Sequence, residues 1–248
     1  LPVDQAELDT YDLVVLGDLA PGDVSTDDQV RLERFVGRRG GFLVAVAGPH
    51  GMPWAYSLGG LADVLPVRAI GTTPTARQPV GVQLTVGGAA HPITTILEDP
   101  VLNHRLWSAL PRLEWAATTV VAKPAAEVLL TTNDGNGAPI VATSRYGAGR
   151  VLWVGSDDCW RWRDRLGDRV HQTFWLQAMR WGMGIRLRGK DRRLQAALES
   201  GLLEPGEAVD LRARATLTDG TSAGEPKLVA ERLDDRGNPM SGSRTVPV

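Results

Sequence analysis

The fold of this chain is decided by residues 12–47, DLVVLGDLAPGDVSTDDQVRLERFVGRRGGFLVAVA. Its two ends, DLVVLG at residues 12–17 and FLVAVA at residues 42–47, are short apolar runs rich in β-branched side chains, a pattern typical of strands buried on both faces. Between them, Ser25 or Thr26 caps a predicted helix. Strand, helix and strand in this order form a right-handed βαβ unit, so the sequence predicts two parallel strands.

Further elements of both kinds follow along the chain. Apolar or alternating runs predict strands at residues 80–86, 113–121, 127–132, 140–146 and 151–155. Apolar side chains at helical spacing predict helices at residues 57–64, 97–106 and 168–181. We therefore expect residues 1–187 to form an α/β domain with a mixed sheet flanked by helices.

The pattern changes after residue 187. Residues 188–199 are basic and are predicted to form a connector. Residues 208–217 (AVDLRARATL) and 227–233 (KLVAERL) have the character of strands separated by Gly/Pro turns. Because so short a segment cannot hold the seven strands usual in the fold, residues 200–248 are predicted to form a partial immunoglobulin-like β-sandwich.

Bulk composition excludes several classes of activity. The formal net charge of −2 gives no broad basic field for nucleic acid or an anionic membrane. One Cys cannot form an internal disulfide or a thiolate cluster, and the four His lack the spacing of a zinc site, so we expect no metal and no cofactor. No run is apolar enough to span a bilayer, and a chain that begins at Leu suggests a piece of a longer protein.

Residues 144–182 hold five of the eight Trp and the single Cys. Within them, Asp157 and Asp158 are either a site for a hard cation or partners of nearby Arg residues. The ion-pair interpretation is favoured, because three Arg follow within eight residues and no regular Ca²⁺-loop spacing is present. Cys159 is predicted to be a buried small side chain, since the adjacent carboxylates raise the pKa of a thiol.

The segment Trp160-Arg161-Trp162-Arg163 has two interpretations. If it is extended, both Trp lie on one side and pack on the core, while both Arg face solvent or an anion. Alternatively, Trp and Arg together form an exposed recognition patch, because both are enriched at interface hot spots. Core packing is the default, and exposure of one Trp would favour the patch.

Two histidines are candidates for catalysis. His50 lies in a turn after the strand at residues 42–47, at the carboxyl end where open α/β sheets place their sites. We favour a structural hydrogen bond for it, since neighbouring Pro49 supplies no N–H for an oxyanion hole. His171, at the start of the helix at residues 168–181, is expected to hydrogen-bond back to the loop at residues 160–163.

Several motifs resemble a known superfamily. YDLVVLGD at residues 11–18 and LERFVGRRGGFLVAVAGP at residues 32–49 resemble the class I glutamine amidotransferase-like superfamily. RYGAGRVLWVGSDDCWRWR at residues 145–163, followed by GDRVHQTFWLQAMRW at residues 167–181, resembles the amidotransferase-like domain of large bacterial membrane-associated proteins with von Willebrand factor A-type modules. The resemblance covers residues 8–186 and implies a flavodoxin-like fold.

The resemblance also shows what this chain lacks. Active members use a nucleophilic Cys in a tight turn after a strand, and a His oriented by Glu. The matching turn here, Gly48-Pro49-His50-Gly51, has no Cys, and Ser156-Asp157-Asp158 stands where the His-x-Glu pair is expected. We therefore expect a non-catalytic module for protein interaction or ligand sensing. Its expected partners are other domains of the same longer chain or envelope proteins, on the periplasmic side of a bacterial cell envelope.

Two other functions stay open at this point. The first is a hydrolase of another class that uses Asp157, Asp158 and His171 or His50, with or without a divalent metal. The second is carbohydrate binding through exposed Trp side chains. The first requires the named groups to converge on one open cleft.

Overall fold

The structure is a computed structural model that describes residues 1–73, 79–164 and 167–183, together with four short strands between residues 194 and 246. Its contacts divide the chain into two units, Leu1–Met183 and Gly184–Val248.

The first unit contains eight described strands and six described helices. The strands are β1 (Leu13–Leu16), β2 (Phe42–Val46), β3 (Val67–Ala69), β4 (Val82–Leu84), β5 (Val120–Ala122), β6 (Glu127–Thr132), β7 (Pro139–Tyr146) and β8 (Gly149–Val154). The helices are α1 (Gln5–Leu8), α2 (Thr26–Gly37), α3 (Gly60–Val64), α4 (Val86–Ala90), α5 (Pro100–Ser108) and α6 (Asp168–Met183), with short 3-10 helices at Trp54–Tyr56 and Asp157–Arg163.

Six of these strands form one sheet in the order β1-β2-β8-β7-β6-β4. β1, β2 and β8 are parallel, and the other neighbours pair antiparallel. β3 and β5 form a separate antiparallel pair. The predicted mixed sheet flanked by helices is therefore confirmed.

The predicted βαβ unit is β1, α2 and β2. α2 begins with a capping box in which the Ser25 hydroxyl accepts from the Asp28 N–H and the Asp28 carboxylate accepts from the Ser25 N–H, both at 3.1 Å. This reciprocal pair satisfies two backbone donors that a helix start otherwise leaves unpaired. The crossover places β2 between β1 and β8.

The central strands bury both of their faces. On β2, Leu43 and Ala45 belong to a core cluster that includes Phe35 of α2, whereas Phe42 and Val44 belong to a cluster that includes aromatic residues of α5 and α6. Because side chains alternate along a strand, helices must cover both faces of the sheet. The result is a sheet between two helical layers.

Two predicted strands differ from the structure. β1 was expected to be buried on both faces, but it lies at the edge of the described sheet and Val15 is 52% exposed. In the predicted strand at residues 113–121, Leu113 forms an isolated bridge with Val80 and regular pairing begins only at Val120. The segment between them bonds to the end of the sheet instead, since the Ala117 N–H donates to the Gly155 carbonyl.

The second unit is described only through four strands. β9 (Leu194–Leu198) pairs antiparallel with β10 (Leu211–Ala215), and β11 (Leu228–Ala230) pairs antiparallel with β12 (Arg244–Val246). The structure differs here from the predicted connector at residues 188–199, because β9 lies within it and pairs with β10. The other residues of the predicted connector and sandwich lie outside the described residues.

Candidate functional site

The carboxyl ends of three parallel strands meet at one edge of the sheet. Asp18 follows β1, His50 follows β2 through the Gly48-Pro49 turn, and Ser156 to Asp158 follow β8. Open α/β sheets place their ligands at this edge, since the loops that leave it converge there. The sequence-predicted residues His50, Asp157 and Asp158 therefore all lie in loops that leave this edge.

At this edge the carboxylate of Asp18 is enclosed by donors. Oδ2 accepts from the His50 N–H at 2.7 Å and lies 2.6 Å from Nδ1 of the His50 imidazole. Oδ1 accepts from the N–H groups of Gly51 at 3.1 Å and Met52 at 3.3 Å. The Asp18 side chain is 9% exposed and that of His50 is 73% exposed. A buried carboxylate thus orients an imidazole that faces solvent.

The path of the backbone at this turn depends on Gly48. A Cβ at this position would lie 2.4 Å from the side chain of Asp18, well inside van der Waals contact. Only glycine leaves room for the carboxylate to approach the turn, so Gly48 and Asp18 are a matched pair from neighbouring strands.

Asp158 holds the loop that crosses the end of β8. Its Oδ2 accepts from the N–H groups of Glu114 at 3.0 Å and Trp115 at 3.1 Å. Ser156 is buried, and its hydroxyl donates to the Trp115 carbonyl at 2.7 Å. The ion pair of Asp158 with Arg161 is long, at 3.9 Å. Asp158 therefore fixes loop structure chiefly through backbone bonds.

The segment at residues 160–163 is helical, because it lies in the 3-10 helix Asp157–Arg163. Ser156 caps the start of this helix, and its hydroxyl accepts from the Asp158 N–H. The interpretation with both Trp on one side required an extended segment, and these residues do not have that conformation. The two Trp consequently have different environments: Trp160 is 50% exposed, and Trp162 is fully buried.

The exposed tryptophan is stacked against a neighbour. The guanidinium of Arg161 lies 5.0 Å from the centre of the Trp160 ring, within the range of a cation–π contact. Arg161 is held in turn by Glu114 at 3.8 Å. Arg163 pairs with Asp168 at the start of α6 and lies on the exposed surface. Trp160 and Arg161, called here the Trp160 surface, are thus an ordered aromatic and cationic pair in contact with solvent.

Trp162, by contrast, belongs to the core. Its ring packs edge to face against those of Trp107 and Phe174, each at 5.3 Å. Of the four residues predicted as a binding segment, Trp162 is therefore unavailable to a ligand in the folded protein.

His171 has its own partner within α6. Its Nε2 accepts from the indole N–H of Trp175 at 3.1 Å. Burial, and next the Arg163 charge, lower the pKa of His171, whereas Asp168 acts in the opposite direction. The expected bond from His171 to residues 160–163 is replaced by this contact one helical turn away. No hydrogen bond or ion pair joins His171 to Asp158 among the described residues.

The single thiol is inaccessible. Cys159 is buried, and burial raises the pKa of its thiol far above the ordinary value, with Asp158 and Asp157 adding to the shift. A nucleophile requires the thiolate, so this side chain is inert at neutral pH in the folded state. Among the described residues, no group of three His, Cys, Asp or Glu side chains could hold a metal ion.

Sequence reasoning found His50 but missed Asp18. The signal was present: Asp18 follows Gly17 directly at the end of a predicted parallel strand, and His50 follows the next strand of the same unit. The carboxyl ends of parallel strands share one edge, so polar residues at both positions had to lie near each other.

Comparisons with known proteins identify similar folds only. No family model matches this chain, and no curated protein matches it. Cytoplasmic Protein STM1381 from Salmonella typhimurium LT2 is 21% identical, with a TM-score of 0.56 over 73% of this chain and 76% of that one. Cytoplasmic Protein STM3548 from Salmonella typhimurium is 18% identical, with a TM-score of 0.54 over 73% of this chain and 75% of that one. These similarities support the α/β fold.

The comparisons correct the expected localisation. Placement in the cell envelope was predicted, but both similar structures belong to proteins named as cytoplasmic. In the part of the chain that the structure describes, no helix has the length and apolar character of a membrane span. The prediction of an envelope location is therefore wrong on these comparisons.

Proposed function

We propose that this chain is a class I glutamine amidotransferase-like module that lacks glutaminase chemistry and acts by binding a partner protein or a ligand. Its proposed topology is flavodoxin-like. The parallel neighbours β1, β2 and β8, with α2 as the crossover between the first two, support this topology. The antiparallel pairs β9–β10 and β11–β12 support an immunoglobulin-like second unit.

The turn at residues 48–51 is the observation that carries the proposal. It contains no thiol, and the N–H groups of His50, Gly51 and Met52 are all bound to Asp18. An oxyanion hole needs free backbone donors aimed at the reacting carbonyl. With these donors occupied and the only Cys buried elsewhere, the turn offers neither the nucleophile nor the hole of thioester chemistry.

The alternative hydrolase at Asp157, Asp158 and His171 has less support. Asp158 binds the backbone of Glu114 and Trp115, whereas His171 binds Trp175. A catalytic carboxylate and base must reach one substrate at the same time, and the side chains of Asp158 and His171 are hydrogen-bonded to different neighbours.

The Trp160 surface is the proposed contact for a partner. Trp and Arg dominate the free energy of many interfaces, and here the two are already stacked, which lowers the entropy lost on binding. Other domains of a longer chain are the partners we propose for this surface.

Ammonia release from glutamine tests the absence of glutaminase chemistry. The purified protein should release no more ammonia than buffer does, and Cys159→Ser should be indistinguishable from the unchanged protein. Ammonia release that disappears in Cys159→Ser would refute the proposal.

Site-specific photo-crosslinking tests the binding surface. A photoreactive amino acid at position 160 can be compared with one at position 176, since Trp160 and Leu176 are 50% and 51% exposed. In cells that contain the longer chain, a crosslink to another domain of that chain should form from position 160 and not from position 176. Equal labelling from both positions would contradict a partner site there, and quenching of Trp fluorescence by a glycan would identify a carbohydrate ligand instead.

A further inference from the structure

The Asp18–His50 pair has a geometry that a purely structural contact does not need. We propose that His50, positioned by Asp18, is a general base that hydrolyses uncharged carboxylic esters. This activity requires no thiol and is independent of the proposed binding function.

The contact with Asp18 determines which nitrogen of His50 is available. A carboxylate only accepts, so the imidazole nitrogen 2.6 Å from it, Nδ1, carries the hydrogen. The lone pair of the neutral ring then lies on Nε2. Because the side chain is 73% exposed, a water molecule and a substrate can both reach this atom. The same orientation of a histidine by a carboxylate prepares the base of serine hydrolases.

The carboxylate itself is held rigidly. Three backbone N–H groups, those of His50, Gly51 and Met52, bind its two oxygens. The same segment is tied to the loop after β1 by Tyr56, whose hydroxyl donates to the Ala20 carbonyl at 2.5 Å. A base is effective when its orientation is fixed before the substrate binds, and this network fixes it.

Charge near the pair favours a neutral substrate. The loops that supply the pair carry Asp18 and Asp23, and no Lys or Arg occurs at residues 12–30 or 40–67. Arg161 and Arg163 follow β8 at the same edge, but they pair with Glu114 and Asp168. An anionic acyl or phosphoryl compound would be repelled there, whereas an uncharged ester would not. Hydrolysis by a base also suits an ester, whose alkoxide leaves more easily than an amine.

The reaction balances without any further reactant. Nε2 of His50 takes a proton from water while the water oxygen bonds to the ester carbonyl carbon. The bond from that carbon to the alkoxy oxygen then breaks, and Nε2–H returns its proton to the departing oxygen. An acid and an alcohol are formed, and the imidazole is regenerated. Because the nearby N–H groups are bound to Asp18, we expect only the acid–base share of rate enhancement, on the order of 10²–10⁴.

Hydrolysis of ethyl dichloroacetate by the whole chain, followed as acid release at constant pH, tests the proposal, because this ester has an activated carbonyl and an alkoxide leaving group. His50→Ala should lower kcat by about tenfold or more, because the base is lost. Asp18→Asn should lower kcat by about tenfold with KM unchanged, since the imidazole loses its orientation and not its access to substrate. His104→Ala is the matched control: His104 is an exposed histidine on α5, and this variant should keep the full rate.

Three results would overturn the proposal. They are an unchanged rate in His50→Ala, an equal loss in His104→Ala, or an Asp18→Asn variant that is folded and fully active. Circular dichroism establishes folding for each variant. If Asp18→Asn fails to fold, His50→Gln decides the question, because the exposed side chain at position 50 can be replaced without disturbing the core.

Discussion

Two tryptophans separated by one residue should differ sharply in their contribution to stability. Trp162 is fully buried against the rings of Trp107 and Phe174, and Trp160 is 50% exposed beneath the guanidinium of Arg161. The informative changes are Trp162→Ala and Trp160→Ala. They remove the same atoms from positions two residues apart in one 3-10 helix, so each is the control for the other.

The expected magnitudes follow from burial. Truncation of a buried Trp to Ala costs about 3–5 kcal/mol, and two edge-to-face ring contacts place Trp162 toward the upper part of this range. For Trp160 the principal loss is a cation–π contact at a partly exposed site, worth about 0.5–1 kcal/mol. The two free energies of unfolding should therefore differ by at least about 2 kcal/mol.

Urea unfolding followed by tryptophan fluorescence measures this difference. All eight Trp lie between residues 54 and 181, so the signal reports on the first unit. With an m value of about 1–3 kcal/mol per M, Trp162→Ala should lower the midpoint by more than about 1 M, and Trp160→Ala by much less. Trp162→Phe should give an intermediate midpoint.

Similar midpoints for the two alanine variants would refute this reasoning. That result would mean that residues 157–163 do not form the described helix, since only an extended segment places both indoles on one side. It would also remove the basis for the Trp160 surface as a binding site.

Three further predictions concern other parts of the first unit. Gly48→Ala should destabilise the protein by about 1–3 kcal/mol in thermal unfolding, because its Cβ would meet Asp18 at 2.4 Å, whereas Gly17→Ala, with nothing within 4 Å, should have little effect. Ser25→Ala should cost about 1 kcal/mol at neutral pH through loss of the helix cap. The hydrogen bond from Ser25 lowers the pKa of Asp28 in the folded protein. The stability that this bond contributes is therefore present above the pKa of Asp28 in the unfolded chain and is lost as the pH falls through its pKa in the folded protein. The difference in unfolding free energy between Ser25→Ala and the unchanged protein should shrink in acid. Cys159 should not react with a thiol reagent at neutral pH in the native protein, since burial raises its pKa, and should react fully in urea; native-state labelling would contradict its burial.

Local patterns predicted most of the first unit. The βαβ unit, the strands β7 and β8, and α6 depend on side-chain periodicity within one short segment, so the sequence contains their signal. The order of the strands in the sheet has no such local signal in the sequence. The exposure of Val15 depends on β1 being at the edge of the described sheet, which only long-range pairing decides.

In the candidate site, too, local features were predicted from the sequence and the long-range contact was not. His50 was identified from its position after a strand, whereas the alternation of Trp and Arg at residues 160–163 would place both Trp on one side only in an extended segment. That alternation was misleading because Ser156 caps a helical turn there, and a single capping bond outweighs a two-residue pattern. Asp18 was missed because its contact is with a residue 32 positions away, and its signal appears only when the ends of β1 and β2 are considered together.

The contact between Asp18 and residues 50–52 also limits what a thiol introduced at this turn could do. A Cys in place of His50 would supply a thiol but not an oxyanion hole, because the backbone N–H groups would remain bound to the Asp18 carboxylate. Removing Asp18 as well would free those donors, yet it would leave them unpaired where the turn is least exposed, at a cost of about 1–3 kcal/mol for each buried group. The donors and the carboxylate therefore stabilise each other, and no single substitution at this turn supplies both the nucleophile and the oxyanion hole of thioester chemistry.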